Sequence, residues 1–295
     1  MAVQGIRLPR LNLALASTRE EHGAERFEPG REEPTRLAGL NVTLFARPGG
    51  GRMSLAGAVR AQYPLKRPPR ARRYDPRMEE FGVYPVVAFD LDGTLLRGTS
   101  VSLLLAQWLG QANEIMELER AFHAHEISNS VVADTSAGWL AGQRTADICA
   151  VLAEGAWIDG MAETFRALAA VGVKLLLGTV TWRFAAEMLQ ERYGFAAVSG
   201  TEMHVGDGVL SGIVTRYFDE HDKVRFVEEW CARNGYSMSQ VAAVGDSRSD
   251  VPLFESAGMS IALNATPDAR AAATHVLNTD DLSDVLALLR AGEVA

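Results

Sequence analysis

The sequence is poor in lysine, with three among its 29 basic residues (Lys66, Lys174 and Lys223). Only Lys174 and Lys223 lie beyond residue 77, so a lysine there is a rare choice in an arginine-rich chain. Cysteine is scarcer still. Cys149 and Cys231 are too few and too far apart for a disulfide framework or a metal knuckle, and a reducing cytoplasm is the expected compartment. No apolar run approaches the roughly 20 residues that span a bilayer. Residues 11–16, behind Arg7 and Arg10, are too few for a signal peptide and acidic residues soon follow. These absences predict a soluble protein with no membrane partner.

Proline thins out along the chain, with eight of the eleven falling before residue 78. Charge changes at the same place. Residues 1–77 hold 15 Lys and Arg against 7 Asp and Glu, whereas residues 78–295 hold 14 against 30, so the net charge of −8 hides a basic start and an acidic remainder. The first 77 residues lack helical or strand periodicity and are broken by Gly49-Gly50-Gly51 and Pro68-Pro69. They read as a disordered leader, unable to bury enough apolar area to offset its ordering entropy. A second reading is an arm for nucleic acid or membrane, because Arg67, Arg70, Arg72 and Arg73 form a basic run. Six glutamates between residues 20 and 33 dilute that charge, and no nucleic-acid partner is expected. A third reading places the native start at Met53 or Met78.

From Tyr84 the pattern changes. Val86-Val87-Ala88-Phe89 is a short apolar run ending at Asp90-Leu91-Asp92-Gly93-Thr94, and similar runs occupy 174–178, 241–244 and 260–263. Such uninterrupted runs are expected of strands buried on both faces. Residues 161–171 and 223–234 between them carry helical spacing and end at Gly172 and Gly235. Strands alternating with helices predict an α/β fold, a doubly wound parallel sheet. In such sheets the ligand lies outside the carboxyl ends of the strands. Residues 102–109, 114–125 and 145–152 are helix-like with no strand between them, so 96–160 read as a small helical cap inserted into a core of 78–95 and 161–295. Alternation over 203–214 around Gly206-Asp207-Gly208 predicts a β-hairpin.

Asp90 and Asp92, two carboxylates at i and i+2, repel unless a cation lies between them. Cleaving a phosphate monoester needs a nucleophile, a proton donor for the leaving oxygen and a metal to neutralise charge. Asp90 can attack phosphorus and Asp92 can protonate the leaving group, although an Asp-rich turn capping a helix explains the pair equally well in isolation. Gly245-Asp246-Ser247-Arg248-Ser249-Asp250 adds two carboxylates after another apolar run. Hard oxygen ligands with no Cys or His nearby favour Mg²⁺ over zinc. Lys223 offers an ammonium whose interaction with a carboxylate at 4 Å is worth roughly 4 kcal/mol at an effective dielectric of 20. Gly178 and Thr179 can supply a backbone N–H and a hydroxyl to a phosphate oxygen.

These residues, in this order, resemble the four motifs of the haloacid dehalogenase (HAD) superfamily, over about residues 86–289. Asp90 to Thr94 matches the first motif, Thr179 the second, Lys223 the third and Gly245 to Asp250 the fourth. The resemblance implies a Rossmann-like core and a Mg²⁺ held by Asp90, the backbone carbonyl of Asp92, and Asp246. Asp250 would support that shell and orient Lys223. Within the superfamily the chain is most similar to the phosphoserine phosphatase group, which implies hydrolysis of a small phosphorylated metabolite through an aspartyl phosphate on Asp90. A phosphotransferase or mutase using the same intermediate is the alternative, and a non-catalytic phosphoryl-binding module a third. The chain departs from the group at Thr99, where a substrate-holding Glu is usual, and at Thr179, where a serine is usual. Arg144 is the nearest cap arginine for a substrate carboxylate. His123, His125, Glu126, Asn129, Trp139, Trp182 and Arg183 are further candidates for substrate contact.

Overall fold

A computed structural model describes residues 84–290, which all belong to one compact unit. The expected leader, 1–77, lies outside the described residues. Seven strands form one sheet in the order β4-β3-β2-β1-β5-β6-β7. They are β1 (Val86–Phe89), β2 (Lys174–Trp182), β3 (Ala197–Gly206), β4 (Val209–Arg216), β5 (Val241–Gly245), β6 (Met259–Leu263) and β7 (His275–Leu277). All neighbours are parallel except β3 and β4.

The continuous apolar runs follow from burial on both faces. Val87, Phe89, Leu175, Leu177, Ala242 and Val244 belong to one core cluster, while Val86, Ala88, Leu176, Val241 and Ala243 belong to a second. Successive side chains of a strand alternate between faces, so each strand feeds both cores. Helices α5 (Met161–Ala170), α6 (Arg183–Tyr193) and α10 (Val285–Arg290) cover the first face. On the second lie α7 (Glu220–Asn234), α8 (Val251–Ser256) and α9 (Pro267–Ala272). Phe165 anchors the first cluster edge-on to Phe89, with ring centroids 5.3 Å apart, and packs 5.0 Å from Phe195.

Between β1 and α5 the chain inserts α1 (Val101–Trp108), α2 (Ala112–His123), α3 (Asn129–Leu140) and α4 (Thr145–Ala153). Sequence periodicity predicted three of these. It missed α3, whose buried positions are mostly small (Ala133, Ser136, Ala137) and give little amphipathic contrast. The predicted hairpin is β3–β4, turning through Asp207 and Gly208 at φ 48° and 76°, as a tight two-residue turn requires. Its first strand runs back to Ala197, where it pairs with β2. The hairpin is bound to the insertion through Gly142 N–H to Leu210 O (2.8 Å) and Thr145 N–H to Gly208 O (2.9 Å). Among the described residues, no helix is long and apolar enough to cross a membrane.

Candidate active site

Strand register brings the acidic segments together. Phe89 pairs with Leu177 on one side and Val244 on the other. Asp90, Gly178 and Gly245 therefore stand in one row, just past β1, midway along the longer β2 and at the end of β5, with Thr179 and Asp246 one step beyond. From β1 the chain moves outward to β2 and β3, then returns to build β5, β6 and β7 on the opposite side. The row is thus the switch point where a doubly wound sheet opens a crevice.

Helix α7 delivers the lysine. It begins at Glu220 rather than near Lys223 because Asp219 and Asp222 close a reciprocal capping box on its first turn. Lys223 consequently points inward at 1% exposure. Its Nζ donates to Asp90 Oδ1 at 2.6 Å, Asp250 Oδ1 at 2.7 Å and Ser249 Oγ at 3.0 Å. All three ammonium protons are satisfied. Burial opposes the charge, but Asp250 and Asp90 more than offset it and hold the lysine above its usual range. The other oxygen of Asp250 accepts the backbone N–H groups of Asp246 (3.0 Å) and Ser247 (3.1 Å). Asp250 is therefore fully engaged in bracing the loop and the lysine.

Asp90 and Asp246 carry a different balance. Burial raises Asp90 to about 7 despite Lys223, with Asp250 adding repulsion. Asp246 is raised well above the carboxylate range by burial and then by Asp90 and Asp250. Thr94 donates to Asp246 Oδ1 at 3.3 Å. Oxygens of Asp90, Asp246 and Asp250 converge within 4.8 Å of one another. Because Lys223 and backbone N–H groups take up both oxygens of Asp250, the open donors are those of Asp90 and Asp246. A surplus of buried carboxylate over ammonium, built only from oxygen, fits a hard divalent cation. Backbone shape enforces the approach. Gly93 adopts φ +81°, and a Cβ there would fall 2.1 Å from Asp246 Oδ2.

Asp92 is tied to the insertion instead. Its Oδ1 accepts the Val101 N–H at 2.9 Å, at the start of α1. Burial raises its pKa well above the usual range, followed by the charges of Asp90 and, from the insertion, Glu119. Glu119 itself hydrogen-bonds the hydroxyl of Ser100, the N-cap of α1. A carboxyl beside a lysine, next to a second carboxyl that burial also holds above its usual range, supplies the two groups that attack and protonation at one centre need.

Thr179 is fully buried where the β2–β3 register breaks between Gly178 and Trp182. Its Oγ1 accepts the Thr181 N–H at 3.2 Å, and Thr181 Oγ1 meets Ser102 of α1 at 3.2 Å. Gly178 lies against the Lys223 stem.

Several further candidates make other contacts. Trp182 is buried and stacks on Phe184 at 5.8 Å, while Arg183 pairs with Glu187 and Glu202. Trp139 packs against the small core of the insertion. Glu126 pairs with Arg120 at 3.7 Å on the surface, and Arg144 is exposed beside Val209 of the hairpin. Thr99 turns its hydroxyl onto the Ser100 carbonyl. Asn129 ties the insertion to the core, its Nδ2 donating to Val180 O (2.8 Å) and Phe218 O (2.9 Å). Sequence reasoning missed Ser249 and Glu119. Ser249 stood between two acids already singled out, whereas Glu119 meets Ser100 across 19 residues with no local pattern.

Residues 87–255 match the model of the haloacid dehalogenase-like hydrolases. The chain belongs to this family. Among curated relatives, a Streptomyces coelicolor phosphoserine phosphatase is 30% identical over 207 residues, covering 69% of the chain and 50% of the relative. One from Streptococcus thermophilus is 27% identical, covering 69% of the chain and 95% of the relative. The chain thus spans about half the length of the Streptomyces protein. Among solved structures, a HAD-family hydrolase from Salmonella enterica serovar Typhi superposes with a TM-score of 0.66 at 22% identity, covering 72% of this chain and 73% of that one. A substrate-bound phosphoserine phosphatase gives 0.62 at 20% identity, covering 70% and 98%. At these identities the superpositions establish the fold, which is the α/β core expected from the strand pattern.

Proposed function

We propose that the protein is a Mg²⁺-dependent phosphatase acting on small phosphomonoesters of the phosphoserine type through a phospho-Asp90 intermediate. The observation that carries this reading is the buried Lys223 bridging Asp90 and Asp250 at the switch point, with Asp92 held apart on the α1 N-terminus. Asp90 attacks phosphorus with a carboxylate oxygen, forming an acyl phosphate as the ester P–O bond breaks. Asp92 gives its proton to the departing alkoxide, so the first product is the free alcohol. It then takes a proton from water as that water attacks the aspartyl phosphate, releasing inorganic phosphate and restoring both carboxyl groups. Lys223 holds the Asp90 oxygen in place and offsets phosphate charge, while Gly178 and Thr179 offer donors to the phosphoryl oxygens. Asp90, the Asp92 carbonyl and Asp246 would hold Mg²⁺, which would neutralise charge on the transferring phosphoryl group. Helices α1–α4 act as the cap, with Glu119 facing the leaving group. The partner is a small phosphorylated metabolite, not nucleic acid or membrane, and two buried free thiols fit a reducing cytoplasm.

The test is phosphate release from a panel of phosphorylated metabolites, including phosphoserine and sugar phosphates, with Mg²⁺ and with EDTA. Metal-dependent release from a few small esters is expected. Release that survives EDTA, or no release from any ester, would overturn the reading.

A further inference from the structure

Arg248 stands between the two acids of the fourth acidic segment, yet its side chain leaves the loop and reaches the cap. Its guanidinium lies 4.2 Å from the ring centroid of Phe122, near the end of α2. Nη1 donates to His125 Nδ1 at 2.8 Å and to Glu220 Oε1 at 3.3 Å. The side chain is only 12% exposed, and its buried Nε has no hydrogen-bond partner. One arginine thus joins the Asp246–Asp250 loop, the first residue of the lysine-bearing helix and the cap.

Each anchor is fixed on its own side. The loop is braced by Asp250 through the N–H groups of Asp246 and Ser247. Glu220 precedes Lys223 by three residues in the capped first turn of α7. On the cap side, His125 sits at φ 58°, a conformation that glycine adopts without strain and histidine seldom does. Its backbone N–H closes onto Phe122 O at 3.0 Å, which fixes the backbone of the two residues relative to each other. A strained residue persists where its side chain is used, and this one meets the guanidinium. Phe122 lies three residues after Glu119, so the two neighbour each other along α2.

We infer that Arg248 is a positioning residue that clasps the cap shut over the substrate by gripping Phe122 and His125 from the catalytic loop. The inference rests on the phosphatase reading for its kinetic consequence, but not for its structural one. A planar, permanently charged guanidinium stacks on an aromatic face while donating in its own plane, which an ammonium cannot do. Opening the clasp leaves the chemistry in place but lets the cap swing away from a bound ester. The effect falls on KM before kcat.

The experiment compares wild type, Arg248→Ala, Arg248→Lys, His125→Gly and the Arg248→Ala/His125→Gly double variant. It reads steady-state kinetics on a small phosphomonoester and amide hydrogen exchange over residues 119–127. His125→Gly relieves backbone strain, so it tests the clasp without threatening the fold. Arg248→Ala should raise KM about tenfold with a smaller change in kcat, the scale of one lost cation–π and hydrogen-bonded contact. Exchange over 119–127 should quicken while β5 and α7 stay protected. Arg248→Lys should recover only part of the loss, and the double variant should be no worse than Arg248→Ala. Unchanged exchange in both Arg248→Ala and His125→Gly, or a kcat loss with KM untouched, would overturn the clasp. If wild type cleaves no ester, the phosphatase reading fails and exchange alone still decides the clasp.

Discussion

Replacing Lys223 with methionine removes the one ammonium shared by Asp90 and Asp250, which approach it at 2.6 and 2.7 Å. The stem is fully buried, so methionine keeps most of the packing and the lost charge dominates. Two carboxylates are then left inside the protein without a counter-ion. Breaking a buried pair in this way costs about 3–5 kcal/mol. For a domain of this size each kcal/mol shifts the melting temperature by about 2–4 °C, so a loss of roughly 6–20 °C is expected in EDTA at neutral pH. The penalty has a direction in pH. With the lysine gone, Asp90 loses the charge that opposes its burial, so it holds its proton to higher pH than in the unfolded chain. The loss is therefore greatest at alkaline pH and shrinks as acid neutralises Asp90. Thermal melts of wild type and Lys223→Met between pH 5 and pH 9 would measure it. A shift below about 2 °C, or one of constant size across that range, would refute the reasoning.

Three further perturbations test separate links. Gly93→Ala forces a Cβ onto Asp246 at a positive φ, so Mg²⁺-dependent turnover should fall by roughly a hundredfold or more, read as phosphate release at saturating metal. Phe165→Ala empties the aromatic cluster beneath β1 and should cost about 3–5 kcal/mol in urea unfolding, with KM unchanged in the protein that remains folded. Asp90 ionises near 3.8 when unfolded and about 7 when folded, so the metal-free protein loses stability as pH rises through that window. Mg²⁺ held there would displace those protons, and the gain in melting temperature on adding it should grow from pH 5 to pH 8, as paired melts would show.

The core of the fold was legible because buried parallel strands write themselves as unbroken apolar runs. Val86–Phe89 and Val241–Gly245 were found almost to the residue. Strand β7 was not found, since His275–Leu277 is three residues long and largely exposed. Helix α3 escaped because Ala and Ser facing inward leave no apolar stripe. Asp90, Asp92, Gly178, Thr179, Lys223, Asp246 and Asp250 were all named from the sequence; strand register aligns the segments on β1, β2 and β5 in the middle of the sheet, and α7 brings Lys223 to them. The rarity of lysine singled out Lys223. What the sequence concealed were contacts between distant segments. Arg248 was legible only as one residue of the 245–250 segment, and nothing in the sequence singled out Glu119. Their roles depend on how the insertion closes on the sheet, which no local spacing encodes.

The central claim is that Asp90 becomes covalently phosphorylated during turnover. Wild type mixed with a hydrolysed ester and Mg²⁺, quenched in acid and digested, should yield the peptide containing Asp90 heavier by one phosphoryl group, while Asp90→Asn yields none and releases no phosphate. A phosphoryl group on another residue, or turnover retained in Asp90→Asn, would contradict the account.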